Sequence, residues 1–319
     1  MFQSIIFPLV GGLILFLYAL HYLSSNLENA ASDKLKLYLD KFTSNLFSGI
    51  ASGTIITILL DSSSAVIIMT IALVKSKALT FRQAMGIVMG ANIGTTISSQ
   101  IIALDVGQYA SVLMAIGFLV MMLTQNQVYK NIGSVLLGIG MIFFSLLLIE
   151  ESVAPLKDSS SFQGWMVALE NPWKGAGIGA LVTVIVQSSS ATVGMVIALG
   201  TKKLISITAA LAIMLGAELG TCSDTLLASI GRSRPAIKTG LFHLAFNLLS
   251  ILLGLSLFKP FVNLVLLLSG TAPLARQIAN GHVLFNILGV LMFLPLVSVM
   301  ERLLNQALPE KEPARQQVA

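Results

Sequence analysis

Two short polar runs interrupt otherwise apolar sequence. Asp61-Ser62-Ser63-Ser64-Ala65 and Gln187-Ser188-Ser189-Ser190-Ala191 each set three hydroxyls beside a carboxylate or an amide. Two further segments, Gly90-Ala91-Asn92-Ile93-Gly94-Thr95-Thr96 and Gly216-Ala217-Glu218-Leu219-Gly220-Thr221, join glycines to threonine hydroxyls. Backbone breakers at membrane depth are costly unless they line a cavity or are buried in protein. Where a helix is interrupted, its free N–H groups form a positive dipole end that attracts an anion without a lysine. Interrupted C-terminal ends expose carbonyls, which with threonine hydroxyls suit a small hard cation such as sodium. No Lys or Arg lies within the apolar parts of these four segments. Hydroxyls and backbone N–H groups must therefore hold the anion. The chemistry is that of an anion bound beside cations, as a cation-coupled symporter needs. A lone membrane serine more often bonds its own helix or a neighbouring one; the pairing of two triple-serine runs favours binding.

The elements that must position these runs are membrane helices. The chain has 319 residues, 55% hydrophobic and 10% charged, with mean hydropathy +0.89. Soluble domains carry about 25% charged residues, so a polytopic helical membrane protein is expected. A soluble enzyme, a disordered chain and a secreted disulfide scaffold are excluded; one cysteine, Cys222, allows no internal disulfide. The formal charge of +5 resides in short loops and reads as membrane orientation rather than nucleic-acid binding. The N-terminus lacks the basic residues and cleavage site of a removable signal, so residues 4–23 read as a first span. Residues 26–44 read as an amphipathic interfacial helix, 109–124 and 132–149 as spans, and 150–174 as a polar connector.

The chain then repeats itself. Residues 175–224 align without a gap on residues 49–98, an offset of 126, with eighteen of fifty positions identical. Polar positions match as well as apolar ones, including Thr57 with Thr183 and Thr95 with Thr221. Shared composition does not produce that; a duplicated bundle half does. If residues 46–74 form a re-entrant hairpin, ten basic residues share one face: Lys34, Lys36, Lys41, Lys75, Lys77, Arg82, Lys130, Arg232, Arg234 and Lys238. The positive-inside rule makes that face cytoplasmic. Three crossings then separate equivalent points, so the repeats are inverted. The expected architecture is all-α: a repeat over 1–125, an inverted repeat over 126–300, each with a re-entrant hairpin and a broken transmembrane helix, and a short polar tail over 301–319.

Gln187 to Ala191, Ser62 to Ala65 and Gly90 to Thr96 resemble the signature repeats of the sodium-dependent phosphate cotransporter family, the type II class and its bacterial relatives. The resemblance runs from about Leu9 to about Val299. It implies sodium-driven transport of inorganic phosphate by a multi-pass protein of the cell inner membrane. The anion would be held by Ser62, Ser63, Ser64, Gln187, Ser188, Ser189 and Ser190. Sodium, the only metal expected and a coupling ion rather than a cofactor, would be held by Asp61, Asn92, Thr95, Thr96, Glu218 and Thr221. Partners are phosphate, sodium and the bilayer, with no nucleic acid; a homodimer is admitted as an assembly. Some bacterial relatives add a soluble C-terminal regulatory domain, for which residues 301–319 are too short.

Two residues depart from the family pattern. Asp61 stands where glutamine is usual, and Glu218 stands where the first copy has Asn92. A carboxylate at such depth is a functional candidate. These two strengthen cation sites, or couple protons, or indicate another oxyanion, or cap their own helix breaks. A second constellation, His243-x-x-Phe246-Asn247 and His282-x-x-Phe285-Asn286, puts His and Asn on one helix face twice. It reads as support for the broken segments or as a proton relay, with Thr57 and Thr183 as further support. The alternative from another class is an intramembrane enzyme using Asp61, Glu218, His243 and His282 on a lipid-linked substrate. Catalysis needs no duplicated site, whereas alternating access does.

Overall fold

The structure is a computed structural model that describes residues 2–104 and 106–309, the side chains of 2–4, 29–37 and 40 excepted. All regular structure among these residues is helical. In chain order the helices are α1 (Phe2–Phe42), α2 (Leu46–Leu60), α3 (Ser63–Lys75), α4 (Phe81–Ile102), α5 (Ala110–Leu123), α6 (Gln127–Val153), α7 (Ser160–Ala168), α8 (Pro172–Val186), α9 (Ser189–Thr201), α10 (Ile207–Gly220), α11 (Cys222–Ser229), α12 (Arg234–Ser256), α13 (Phe258–Ser269), α14 (Leu274–Phe293) and α15 (Val297–Ala307). Five helical stretches among the described residues are long and apolar enough to cross a membrane, or six if the bent α4–α5 pair counts as one.

The first span and the expected interfacial helix are one element. No Gly or Pro stands between residues 13 and 45, so nothing breaks the helix and α1 runs on to Phe42. The side chains of Asp33, Lys34, Lys36 and Asp40 lie outside the described residues. The connector over 150–174 is also more ordered than its composition suggests. It holds the end of α6, a 3-10 turn over Ala154–Asp158 and α7, and Glu150 pairs with Lys202 at 3.3 Å.

Helices α2, α3, α8 and α9 have 15, 13, 15 and 13 residues. At 1.5 Å per residue none reaches across a ~30 Å hydrocarbon core. In the second pair, Thr183 donates to Thr192 Oγ1 at 2.8 Å. Nine residues of straight helix would hold them about 13 Å apart, so α8 and α9 fold back on each other. The turns use left-handed backbone at Asp61 (φ 53°) and Gln187 (φ 60°). The other two non-glycine residues of positive φ among those described are Lys77 and Lys203. The pairs 61/187 and 77/203 both lie 126 apart. The duplication thus extends to the backbone positions that cost about 1–2 kcal/mol each to hold.

The glycines of the Gly-Ala-x-x-Gly-Thr segments do something other than break helices. Helix α4 runs unbroken through Gly90 to Thr96. In the second half the interruption is confined to Thr221, between α10 and α11. A Cβ at Gly90 would stand 2.0 Å from the Ile50 carbonyl oxygen, and one at Gly216 would stand 1.8 Å from that of Ala176. Residues 50 and 176 are themselves repeat mates. Glycine is needed because α2 lies backbone to backbone on α4, and α8 on α10. That close packing fixes each hairpin against the helix that follows it.

Helices α12 and α14 complete the interior. Phe246 and Phe293 meet edge to face at 5.1 Å between ring centroids, with Phe242 against Phe293 at 5.9 Å. Helix α15 is fastened beneath them. Arg82 Nη1 donates to Glu301 at 2.5 Å, and Lys238 Nζ to Asn305 Oδ1 at 2.6 Å.

Candidate functional site

Each serine run occupies the tip of its hairpin and starts the returning helix. Ser62 is the N-cap of α3; its backbone is extended and its hydroxyl oxygen accepts from Ala65 N–H at 3.2 Å. Ser188 caps α9 the same way through Ala191 N–H at 3.1 Å. Ser63, Ser64, Ser189 and Ser190 are then the first two residues of their helices, whose N–H groups have no acceptor within the helix. The positive dipole ends of α3 and α9 start at these residues.

Both tips face one cavity of about 290 Å³. Asp61, Ser62, Ser63, Ser64, Gln187, Ser188, Ser189, Ser190 and Thr221 line it, with Leu17, Leu20, His21 and Ser24 of α1 closing one side. A single water needs only ~10–15 Å³ by this measure, so the space admits a hydrated polyatomic ion. Eight hydroxyls, two helix N-termini, an amide and an imidazole make the lining rich in donors.

The predicted cation ligands are divided by the fold. Asp61 and Thr221 reach the cavity. Asp61 Oδ1 accepts from the hydroxyl of Ser98 on α4, and Ser24 donates to its carbonyl at 3.4 Å. Gln187, its repeat mate, instead donates to the Val184 carbonyl at 2.5 Å. Asn92, Thr95 and Thr96 are buried within α4. Asn92 Nδ2 donates to Asn247 Oδ1 at 2.9 Å, and Thr96 to the Ile93 carbonyl at 2.7 Å. Glu218 does not line the cavity. Its carboxylate lies 2.7 Å from His282 Nε2, with both side chains buried. A lone buried carboxylate is expensive, and the imidazole facing it from α14 offsets that cost.

The two His-x-x-Phe-Asn segments serve the two halves. His282 Nδ1 lies 2.7 Å from Ser99 Oγ of α4, and His243 Nδ1 lies 2.7 Å from Thr225 Oγ1 of α11. Asn247 Nδ2 donates to buried Cys222 at 3.3 Å, and Asn286 Nδ2 to the His282 carbonyl at 3.1 Å. Thr57 and Thr183 are both fully buried. Thr183 has Thr192 to donate to, whereas Val66 holds the equivalent place opposite Thr57, whose hydroxyl has no partner. Among the described residues no three His, Cys, Asp or Glu side chains gather into a metal-binding group.

Sequence reasoning missed four residues here. His21 and Ser24 sit in what reads as an ordinary first span, though a histidine with serine at i+3 and i+4 marks one face of it. Ser98 and Asp224 close the aligned block at the same offset, a serine facing an aspartate. Asp224 accepts from the Thr225 N–H at 2.6 Å.

The profile of the Na+/Pi-cotransporter family matches residues 15–151 and 158–293. The chain belongs to the Na+/Pi-cotransporter family. The "Uncharacterized protein YqeW" of Bacillus subtilis is 29% identical over 300 residues, 94% of this chain and 97% of that one. The "Putative inorganic phosphate export protein YjbB" of Escherichia coli is 26% identical over 297 residues, and the chain spans about half of its length, 54%. The human "Sodium-dependent phosphate transport protein 2B" is 36% identical over 135 residues, 39% of this chain and 20% of that protein. No solved structure matches.

Proposed function

We propose that this protein is a sodium-coupled symporter of inorganic phosphate in the cell inner membrane. The observation that carries the proposal is the single cavity faced by both triple-serine tips. A phosphate oxyanion would be held there by the Ser63, Ser64, Ser189 and Ser190 hydroxyls, the N–H groups opening α3 and α9, and the Gln187 amide. Sodium would sit at the edge of the cavity, with Asp61 and Thr221 as ligands. Asn92, Thr95, Thr96 and Glu218 would act from behind, holding α4 and α10 in place. The anion site contains no lysine or arginine, so cations must offset the charge of bound phosphate. That is the physical basis of coupling.

The test is uptake by the purified chain in liposomes. Labelled phosphate should accumulate under an inward sodium gradient and fail to accumulate under an equal potassium gradient. Accumulation indifferent to sodium would sink the coupling. Accumulation of sulfate or arsenate in preference to phosphate would replace the substrate.

YjbB carries a name for export, which makes net outward movement the second reading. A symporter runs in either direction with its gradients, so liposomes loaded with phosphate and sodium decide between the two. Strict efflux that no inward sodium gradient reverses would favour export. An intramembrane enzyme is the weaker reading, because two duplicated tips facing one cavity suit alternating access and catalysis has no use for the duplication.

A further inference from the structure

At the 126-residue offset, α6 is the counterpart of the first part of α1. Four residues of α1 line the serine cavity: Leu17, Leu20, His21 and Ser24. Their mates on α6 are Phe143, Leu146, Leu147 and Glu150. Those four also share one cavity, completed by Ala198 and Thr201 of α9 among others. The same helix face is thus used twice, but the spaces differ. The one against α1 holds about 290 Å³ and the one against α6 about 10 Å³. A water needs ~10–15 Å³ by this measure, so the α6 side is shut while the α1 side is open.

The two faces are also held differently. Ser24 donates to the Asp61 carbonyl at a hairpin tip. Its mate Glu150 meets Lys202, the C-cap of α9, at 3.3 Å. The mates of Glu150 and Lys202 are Ser24 and Ser76, so the first half cannot form this ion pair. The Glu150 side chain is 10% exposed and that of Lys202 33%, which leaves the pair less screened than one in open water. Glu150 follows Lys130 by twenty residues of α6, about 30 Å at 1.5 Å per residue. That length crosses the hydrocarbon core, so the pair lies opposite the basic face that carries Lys130. We propose that Glu150 and Lys202 are the outer gate of the serine cavity. Their pairing holds α9 against α6 and shuts the outer route. When they part, Phe143, Leu146 and Leu147 become cavity wall, as Leu17, Leu20 and His21 are now, and α1 closes in turn. Closure from outside is therefore ionic, whereas closure along α1 has only apolar contacts and hydroxyls to use. This inference rests on the reading of the serine cavity as a phosphate site.

The experiment is uptake of labelled phosphate by the full chain in right-side-out vesicles under an inward sodium gradient. Glu150→Cys combined with Lys202→Cys, joined by a short reducible bifunctional thiosulfonate, should lose uptake. Reduction should restore the rate measured before cross-linking. Full uptake by the cross-linked protein would make the pair a fixed structural contact and overturn the gate. Glu150→Gln and Lys202→Gln should each loosen the closed state, so that more of the protein presents its site outward. Apparent affinity for external phosphate should then rise in proportion to that fraction, by up to about fivefold for one such pair. Glu150→Lys combined with Lys202→Glu should return it to the wild-type value. If the double-cysteine variant does not fold, Lys202→Gln, on the more exposed partner, decides alone, and an unchanged affinity overturns the gate. Wild type that takes up no phosphate refutes the phosphate reading on which the gate rests, so the two failures are distinguishable.

Discussion

Ser99 and Thr225, 126 residues apart, make the same contact: each hydroxyl stands 2.7 Å from Nδ1 of a buried histidine, His282 and His243 respectively. The second nitrogens of those rings differ. His282 Nε2 meets Glu218, and because a carboxylate only accepts, Nε2 carries the hydrogen. His243 Nε2 has no partner, and Asn92, the repeat mate of Glu218, turns to Asn247 instead.

Glu218 should therefore matter to stability before it matters to transport. His282→Leu leaves a buried carboxylate uncompensated and should cost about 3–5 kcal/mol. Glu218→Gln keeps an acceptor for Nε2–H and should cost clearly less. Thermal unfolding in detergent compares the two, and equal losses would remove Glu218 from this role.

The paired threonines give a prediction of opposite sign in the two halves. Thr183→Val removes the bond to Thr192, whose hydroxyl keeps the Ser188 carbonyl at 3.3 Å, costing about 0.5–1.5 kcal/mol. Thr57→Val removes a hydroxyl that has no partner and should be neutral or stabilising. Melting temperatures of the two variants provide the check; a destabilised Thr57→Val would mean that its hydroxyl is satisfied in the working protein.

Asp61→Gln gives the first tip the residue of the second. Phosphate binding should persist, because the serines and helix N-termini remain. One charge-assisted contact of about 1.5–3 kcal/mol to a bound cation should go, visible as a weaker sodium dependence and a changed charge moved per phosphate. Unchanged sodium affinity and charge movement would reduce Asp61 to the C-cap of α2.

Thr221 faces the cavity and Thr95 does not. Thr221→Val should weaken sodium dependence more than phosphate affinity, and more than Thr95→Val does. Uptake at graded sodium separates the two. A larger effect at Thr95 would place the cation deeper, against α4.

Gly90→Ala and Gly216→Ala each push a methyl group into a carbonyl oxygen of the neighbouring helix. Neither backbone can give way without moving a hairpin, so folded yield should fall sharply in both. Size-exclusion profiles after detergent extraction test this, and a well-folded Gly216→Ala would contradict the close approach of α8 and α10.

Much of this was legible in the sequence because the duplication repeats polar residues. Ser62 to Ser64 and Ser188 to Ser190 mark two tips, and the alignment alone suggests one shared site. What escaped was the use made of the glycines. Gly90 and Gly94 read as a helix break, yet the neighbouring helix packs so close that they are needed for contact, and α4 continues through them. Glu218 read as a cation ligand because no local pattern reveals that α14, 64 residues further on, brings His282 against it. His21 was hidden by its apolar neighbours.

The burial of Cys222 makes the chain a quiet background for thiol chemistry. Its side chain is 1% exposed, so a water-soluble maleimide should leave the wild-type protein unlabelled. A cysteine introduced at Ser64 or Ser190, which are half-buried and line the cavity, would then report alone. Labelled from one side of a sealed vesicle in one state and from the other side in another, it would time the opening of the cavity to each face of the membrane. Ser64 and Ser190 are repeat mates, and any difference between their labelling rates measures how unequally the two tips move.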